Sequence, residues 1–384
     1  MNFEINETQK YLRKTMAAFC QTEILSGAAA LDESPKEQVA AAIRANLKKL
    51  GAAGYLNLLL EDDLISQCVA GEEVARACPA TFVSAMSTAT AFGLPVKRFG
   101  VPAQQEKYLP GVVRGDFIGG LACTEADAGS DLAGIRATAG RKGSNWDLNG
   151  SKYLVTNAPI ADALLVLAWT DHSAGLDKGL TFFIMEKGTK GLAIGPPLET
   201  MGLRGALISE ITFDGCELGG DAVLGHEVGH GFAQFTQVME YVKLALSAMS
   251  VGLGVACMED STTYAKSRKA FGKPIGLFEG VGAKLATMFT ANDLGRMLAY
   301  RAAWAMEQQD PESPVLTACA KLFSSESVNE IADLAMQVYG GHGYLKGSTV
   351  ERLYRDARYA VIAYGTSEMQ RAAIAKDSLD KYNT

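Results

Sequence analysis

Long apolar runs, basic clusters and paired cysteines are all missing from this 384-residue chain. No uninterrupted apolar stretch reaches the roughly eighteen residues that a membrane-spanning helix needs, so no span is expected. Lys and Arg total 36 against 43 Asp and Glu, a net charge of −7 with no basic stripe. Nucleic acid is therefore not an expected partner, because phosphate binding requires clustered cations. Seven cysteines are scattered at positions 20, 68, 78, 123, 216, 257 and 319, with no CxxC pair. Dispersed thiols of this kind predict reduced, buried cysteines and a cytoplasmic location. The start of the chain (Met1 to Glu4) lacks the basic and apolar regions of a secretory leader, which agrees with that expectation. One segment, His226-Glu227-Val228-Gly229-His230, has the zinc-protease spacing HExxH. That chemistry needs both histidines one turn apart on a helix. Gly225, Gly229 and Gly231 each disfavour helix by about 1 kcal/mol, so no metal site is expected there.

What is present is an ordinary globular balance, 48% hydrophobic and 21% charged, with length for two or three domains. Residues 1–115 read as helical. Asn6 and Gln9 form a capping box before Leu12, Met16 and Phe19. Ser34 as N-cap with Pro35 in the first turn predicts a second helix with a Val39–Ile43–Leu47–Leu50 stripe, ended at Gly51. A third helix is expected over 65–77. Residues 116–225 change texture to short β-branched and aromatic runs. Strands are predicted over 163–169, 180–185 and 208–213, and Asn149-Gly150 reads as a hairpin turn between 146–148 and 153–155. These runs suggest an antiparallel sheet or barrel. Helical periodicity returns over 226–384, in segments such as 232–269 and 315–339. The expected class is α+β: helices, a central antiparallel β-domain, then a helical bundle.

The segment from Ala122 to Asp131, Ala-Cys-Thr-Glu-Ala-Asp-Ala-Gly-Ser-Asp, is a glycine-containing turn rich in hydroxyls after a strand-like run. Backbone amides and hydroxyls in such a turn suit a flavin edge or a pyrophosphate. This segment closely resembles a signature of the acyl-CoA dehydrogenase family. Four more segments match that family in order: Lys152–Asn157 (KYLVTN), Arg268–Gly272 (RKAFG), Gln337–Gly343 (QVYGGHG) and Gly365–Arg371 (GTSEMQR). The resemblance spans essentially the whole chain and departs at Gly347, where an acidic or amide residue is usual.

The resemblance implies FAD as cofactor. Thr124, Gly129 and Ser130 would meet the flavin and its pyrophosphate, Thr156 would face the reactive side of the ring, and Leu154 stands where many members have tryptophan. Arg268, Phe271, Gln337 and Gly341 match positions that hold the adenine half across a subunit interface, and Thr366 and Glu368 match further FAD contacts. A homodimer or homotetramer, an acyl-CoA or acyl-carrier-protein thioester as substrate, and electron-transfer flavoprotein as partner are implied with them. Segment 58–67 lacks the longer loop of many relatives at the substrate end.

The family's carboxylate base is missing. Most members carry Glu just before the final Gly-Thr, and here that residue is Tyr364; the alternative position is Val242. A tyrosine is only ~10⁻³ ionised at pH 7, about 4 kcal/mol short of a working base, so Tyr364 suits proton donation. Glu240, about 200° around a helix from Val242, would face elsewhere. Asp127, where the family has Gly, is a second candidate, and Lys243 is a candidate for the substrate side. His342, among glycines, reads as structural. The expected activity is FAD-dependent Cα–Cβ dehydrogenation of an acyl thioester or a variant of it. Enoyl reduction, ring or remote-carbon dehydrogenation, oxidase chemistry and a non-catalytic flavin-binding role remain open alternatives.

Overall fold

A computed structural model describes residues 4–382. The first helical layer contains α1 (Glu7–Glu23), α2 (Ala28–Glu33), α3 (Lys36–Ala52), α4 (Tyr55–Leu58), α5 (Leu64–Ala77), α6 (Pro79–Met86), α7 (Leu94–Phe99) and α8 (Pro102–Arg114). The Asn6–Gln9 capping box forms as expected, with Gln9 N donating to Asn6 Oδ1 at 2.9 Å. Ser34 does not cap α3. Its N–H donates to Ala30 O, closing α2, and Pro35 immediately precedes the first residue of α3. Nor does α3 stop at Gly51; it runs to Ala52, and Gly54 reverses the chain at φ 80°. Gly51 has another task, because a Cβ there would strike the backbone of Arg114 where α8 crosses. Between α6 and α7 the chain makes a wide π-helical turn over Ser87–Gly93. Such turns are frequent at functional sites.

The middle unit is one seven-stranded sheet: β1 (Gly119–Ala122), β2 (Thr138–Lys142), β3 (Asn145–Thr156), β4 (Ala163–Trp169), β5 (Leu180–Glu186), β6 (Leu192–Ile194) and β7 (Ile208–Leu218), with the short α9 (Gly175–Gly179) before β5. Most pairings are antiparallel, as expected, and two parallel pairings make the sheet mixed. Strand β4 takes β1 beside it in parallel and touches β2 in parallel at Thr138–Trp169. The Asn149-Gly150 hairpin is also absent. Strand β3 continues through it, hydrogen-bonded to β2 on one side and β7 on the other, with a register shift between Leu148 and Gly150. Gly150, at φ 128°, is needed because a Cβ would meet Ala137. The Asn149 side chain accepts from Gly215 N at 2.8 Å on β7. An NG pair with strand on both sides has thus become a bulge, which bends a strand rather than ending it.

The last unit comprises α10 (Gly231–Ser267), a two-stranded ribbon of β8 (Lys269–Ala270) and β9 (Lys273–Pro274), α11 (Glu279–Glu307), α12 (Ser313–Tyr339), α13 (Thr349–Ala357) and α14 (Ser367–Tyr382). Helix α10 is long and apolar enough to cross a membrane by length and composition, yet 67% of its most apolar window is buried inside the protein. It is the axial core helix, packed against α5, α11 and α12. Gly252 allows the close approach to α5, since a Cβ there would collide with the carbonyl of Glu72. Replacing Gly252 by Ala is expected to lower stability by about 2 kcal/mol, because overpacking a tight crossing forces backbone movement. Denaturant unfolding checks this; an unchanged midpoint would mean that the two helices are free to separate.

Candidate functional site

Strand β1 ends at Ala122 and the hydroxyl-rich loop follows. Its fold depends on Glu125, which is 8% exposed. Glu125 Oε1 accepts from Lys152 Nζ at 2.7 Å and from Ala137 N at 3.0 Å, and Oε2 accepts from Arg136 N at 2.7 Å. Lys152, itself 0% exposed, also donates to Cys123 O at 3.0 Å. Tyr153 N donates to Thr124 O at 2.8 Å, lashing the loop to β3. Burial works to raise the Glu125 pKa, but the Lys152 ammonium and the two backbone amides outweigh it and hold the carboxyl below its ordinary value. With its interior occupied by this pair, the loop leaves Thr124 partly open and turns Gly129 and Ser130 to the surface.

Opposite stands the turn before α14. Tyr364 has a left-handed backbone, φ 52°, and Gly365 follows at φ 100°. The carbonyl of Gly365 accepts from Lys321 Nζ at 2.6 Å and from Gln370 Nε2 at 3.1 Å. Lys321 is fully buried; burial first, then the neighbouring Lys243 charge, lowers its pKa to about 8 against the opposing pull of Glu326 and Glu368. Thr366 Oγ1 accepts from Met369 N at 3.3 Å, which starts α14, and Glu368 lies in the first turn. The Tyr364 hydroxyl faces Thr156, Ser87, Tyr359 and the Cys123 thiol. Burial raises its pKa, and the hydroxyls of Thr156, Ser87 and Tyr359 offset part of the rise. Thr156 is 4% exposed at the end of β3. Two residues before it, Leu154 turns outward at φ 57°.

A second group of the expected residues gathers elsewhere. Tyr264 and Tyr339 stack with ring centroids 4.0 Å apart. The stack sets Arg268 and the β8–β9 ribbon next to the end of α12, where Gln337 and Gly341 lie. Phe271, at the ribbon's tip, is 94% exposed with φ 50°. Lys243 and Arg268 are 268 − 243 = 25 residues apart on and at the end of α10, so roughly 38 Å separates them at the helical rise. Within one chain the Tyr364 turn and the Phe271 ribbon therefore lie far apart.

Other expected residues fall outside these groups. Asp127 is open to solvent, with a 75% exposed side chain 3.6 Å from Arg136, and is not among the groups around Tyr364. Lys243 is held by Glu240 at 2.7 Å and borders Lys321. Val242 is completely buried in the core. His226 has φ 59° in a short turn and His230 precedes the first residue of α10, so the pair lacks the helical spacing that HExxH chemistry uses. Glu125, Lys152, Lys321 and Ser87 were missed as site-building residues. The available signal was Lys321's position as the lone charge between Thr317 and Ser325.

The residues present fit a flavin dinucleotide. Hydroxyl-bearing Thr124, Ser130, Thr156 and Thr366 supply neutral donors and acceptors. Two of the motif segments contain left-handed non-glycine residues, Leu154 and Asn157 in one and Phe271 in the other, and Tyr364 immediately precedes a third; such strain concentrates at binding sites. Fold and site together define an FAD-dependent oxidoreductase. The acyl-CoA dehydrogenase N-terminal, middle and C-terminal domains match residues 6–116, 120–216 and 229–379. The chain belongs to the acyl-CoA dehydrogenase family.

Among relatives, the chain is 33% identical to the 3-(aryl)acrylate reductase of Clostridium sporogenes, covering 97% of this chain and 99% of that protein. It is also 33% identical to the mitochondrial short-chain specific acyl-CoA dehydrogenase of Mus musculus, covering 99% and 92%. Butyryl-CoA dehydrogenase from Megasphaera elsdenii superposes with a TM-score of 0.91 at 29% identity, covering 99% and 100%. The prolyl acyl carrier protein oxidase AnaB superposes at 0.89 with 31% identity, covering 98% and 100%.

Breaking the Glu125–Lys152 pair from either side, by Glu125→Gln or Lys152→Met, should cost about 3–5 kcal/mol and weaken FAD retention. The double variant should lose less than the sum. Because the Glu125 pKa is lowered by folding, its contribution is present above the ordinary carboxylate range and disappears as pH falls through the depressed folded value. Unfolding midpoints of the cycle against pH, with the flavin-to-protein ratio, check both statements; additive losses would show that the two charges do not act together.

Proposed function

We propose that this chain reduces an enoyl thioester at Cα–Cβ, with Tyr364 delivering the proton to Cα. The carrying observation is the half-buried Tyr364, whose hydroxyl is raised above its ordinary pKa of 10.0, at the position where the family has a carboxylate. A group that stays protonated at neutral pH donates; it does not abstract. Bound in the reduced form, with its electrons supplied by the redox partner, the flavin would provide the hydride for Cβ. Tyr364 breaks its O–H bond as the Cα–H bond forms, and its phenolate recovers a proton through the hydroxyls of Thr156 and Tyr359. Lys321 and Gln370 hold the Gly365 carbonyl and so keep the Tyr364 turn in place. The acrylate reductase among the relatives supports this direction.

Coenzyme A or a carrier protein is the thioester's other half, in line with the butyryl-CoA and prolyl-carrier-protein enzymes above, and an electron-transfer flavoprotein is the redox partner. Assembly as a homodimer or homotetramer would bring a Phe271 ribbon to another copy's flavin. Exposed Phe289, Met297 and Trp304 along α11 support such a contact. The seven cysteines are free thiols, six of them buried, which suits a cytoplasmic setting.

Reduced, FAD-loaded protein mixed anaerobically with a panel of enoyl thioesters should reoxidise. Tyr364→Phe should slow this by roughly 100-fold, the usual worth of a general acid, and the wild-type rate should show no loss from tyrosine ionisation below pH 10. Tyr364→Glu should instead raise oxidation of saturated thioesters. A Phe variant as fast as wild type would sink the proposal. By light scattering, the loaded protein is expected at two or four chains, and a monomer that retains FAD would contradict the shared site.

A further inference from the structure

After Leu198 the connection between β6 and β7 leaves the sheet, crosses to α13 and returns at Leu207. Its crossing point is built from charges. Arg355 on α13 donates through Nη1 and Nη2 to the two oxygens of Asp32 on α2, at 3.0 and 2.6 Å, and through Nη1 to the carbonyl of Met201 at 3.0 Å. The next residue, Asp356, is 3% exposed, and its Oδ1 accepts from Leu203 N at 2.6 Å. Leu203 is buried with a left-handed backbone, φ 50°. A non-glycine residue keeps that conformation only when its surroundings enforce it. Gly202 passes so close that a Cβ there would strike the carbonyl of Arg355.

Both sides of this crossing lead to the same place. From Leu203 the strap runs through buried Ala206 to buried Leu207, whose carbonyl accepts from Asn157 N at 3.0 Å. The next residue, Ile208, pairs with Thr156 at the end of β3. Asn157, left-handed at φ 66°, is held from its other side, its Nδ2 donating to Ser84 O and to Gly119 O at 3.0 Å each. From Asp356, the chain passes through the short turn Arg358–Val361 to Tyr364. The hydroxyls of Tyr364 and Thr156 meet, so strap, strand end and turn close into a ring, with the bond between Asp356 and Leu203 as a link across it. Apolar packing lets a strap slide. A hydrogen bond weakens steeply with distance and angle, and so fixes its register.

We propose that Asp356 is a positioning residue for the flavin reaction: by holding Leu203 N–H it fixes the strap, and the strap fixes where Thr156 stands against the flavin and the Tyr364 turn. It acts through other groups and not on the reacting atoms. Asp32 and Arg355 act one step further out, by securing the end of α13 from which Asp356 projects. Arg355 is committed to Asp32 and Glu351, which leaves the Asp356 carboxylate to the amide. The inference rests on the reading of this site as the flavin edge, with Thr156 at the reactive side of the ring; the direction of proton transfer at Tyr364 does not enter.

The test reads the midpoint potential of FAD in the loaded protein, with its absorbance spectrum, and needs no substrate. Thr156→Val sets the reference shift. Asp356→Leu removes the acceptor at similar size. It should move the potential in the same direction by roughly half as much or more, with the flavin-to-protein ratio unchanged. Combined with Thr156→Val it should add nothing further, because both act through one hydroxyl. Asp356→Asn, whose Oδ1 still accepts from Leu203 N, should restore the wild-type potential. If Asp356→Leu does not fold, Gly202→Ala gives the same readout, since its Cβ pushes the strap off α13 while Asp356 stays in place. A lowered unfolding midpoint with the potential unmoved by the variant that folds would assign Asp356 to stability alone and overturn the inference. Shifts of Asp356→Leu and Thr156→Val that simply add overturn it too. A potential unmoved by Thr156→Val overturns the reading of Thr156 and the inference together. The expected shifts, found beside a Tyr364→Phe variant as fast as wild type, would keep this inference and overturn the proton-donor role.

Discussion

Glu125 and Lys152 are two full charges taken out of water together, and the hydroxyl-rich loop after β1 is organised around them. Removing a carboxylate and an ammonium from solvent is costly unless every lone pair and proton finds a partner. Here the carboxylate has three donors and the ammonium a carbonyl in addition to its counter-ion. That completeness ties the loop after β1 to β3 and to the start of β2. The small residues of the loop are then free to present hydroxyls and backbone amides outward, because nothing in the loop must collapse inward to bury itself.

The same division of labour appears at the Tyr364 turn. Lys321 lies wholly inside the protein, yet its ammonium goes to a backbone carbonyl and not to a carboxylate. Charges are thus used behind the turn to hold the backbone, while the groups that face the Tyr364 hydroxyl are neutral. No fixed charge among those groups stabilises a Tyr364 phenolate.

Much of this was legible in the sequence because it is written in local code. The Asn6 capping box, the helical stripe of α3, the length of α10 and the ordered motif segments each depend on residues a few places apart. Ser34 was misread because a residue can close one helix as readily as open the next, and the choice depends on where Ala30 O lies. Asn149-Gly150 was misread because a bulge and a hairpin turn ask for the same backbone freedom; only the neighbouring strand β7 decides between them. Glu125, Lys152 and Lys321 were not read as site-building residues because their partners lie 27 to 44 residues away along the chain. No periodicity records a distance of that kind.

Helix α10 has a consequence of another sort. Its 37 residues form a rod about 55 Å long, with Lys243 beside the Tyr364 turn and Arg268 at the ribbon. Close passage of Gly252 under Glu72 pins the rod midway, so it cannot slide by a turn to absorb an error. A single residue inserted between positions 252 and 268 would advance the ribbon by ~1.5 Å and swing it by ~100°, turning Phe271 away from the direction in which it now projects. The helix is therefore a ruler as well as a core element: the number of residues in it is as tightly constrained as the identity of any side chain it carries.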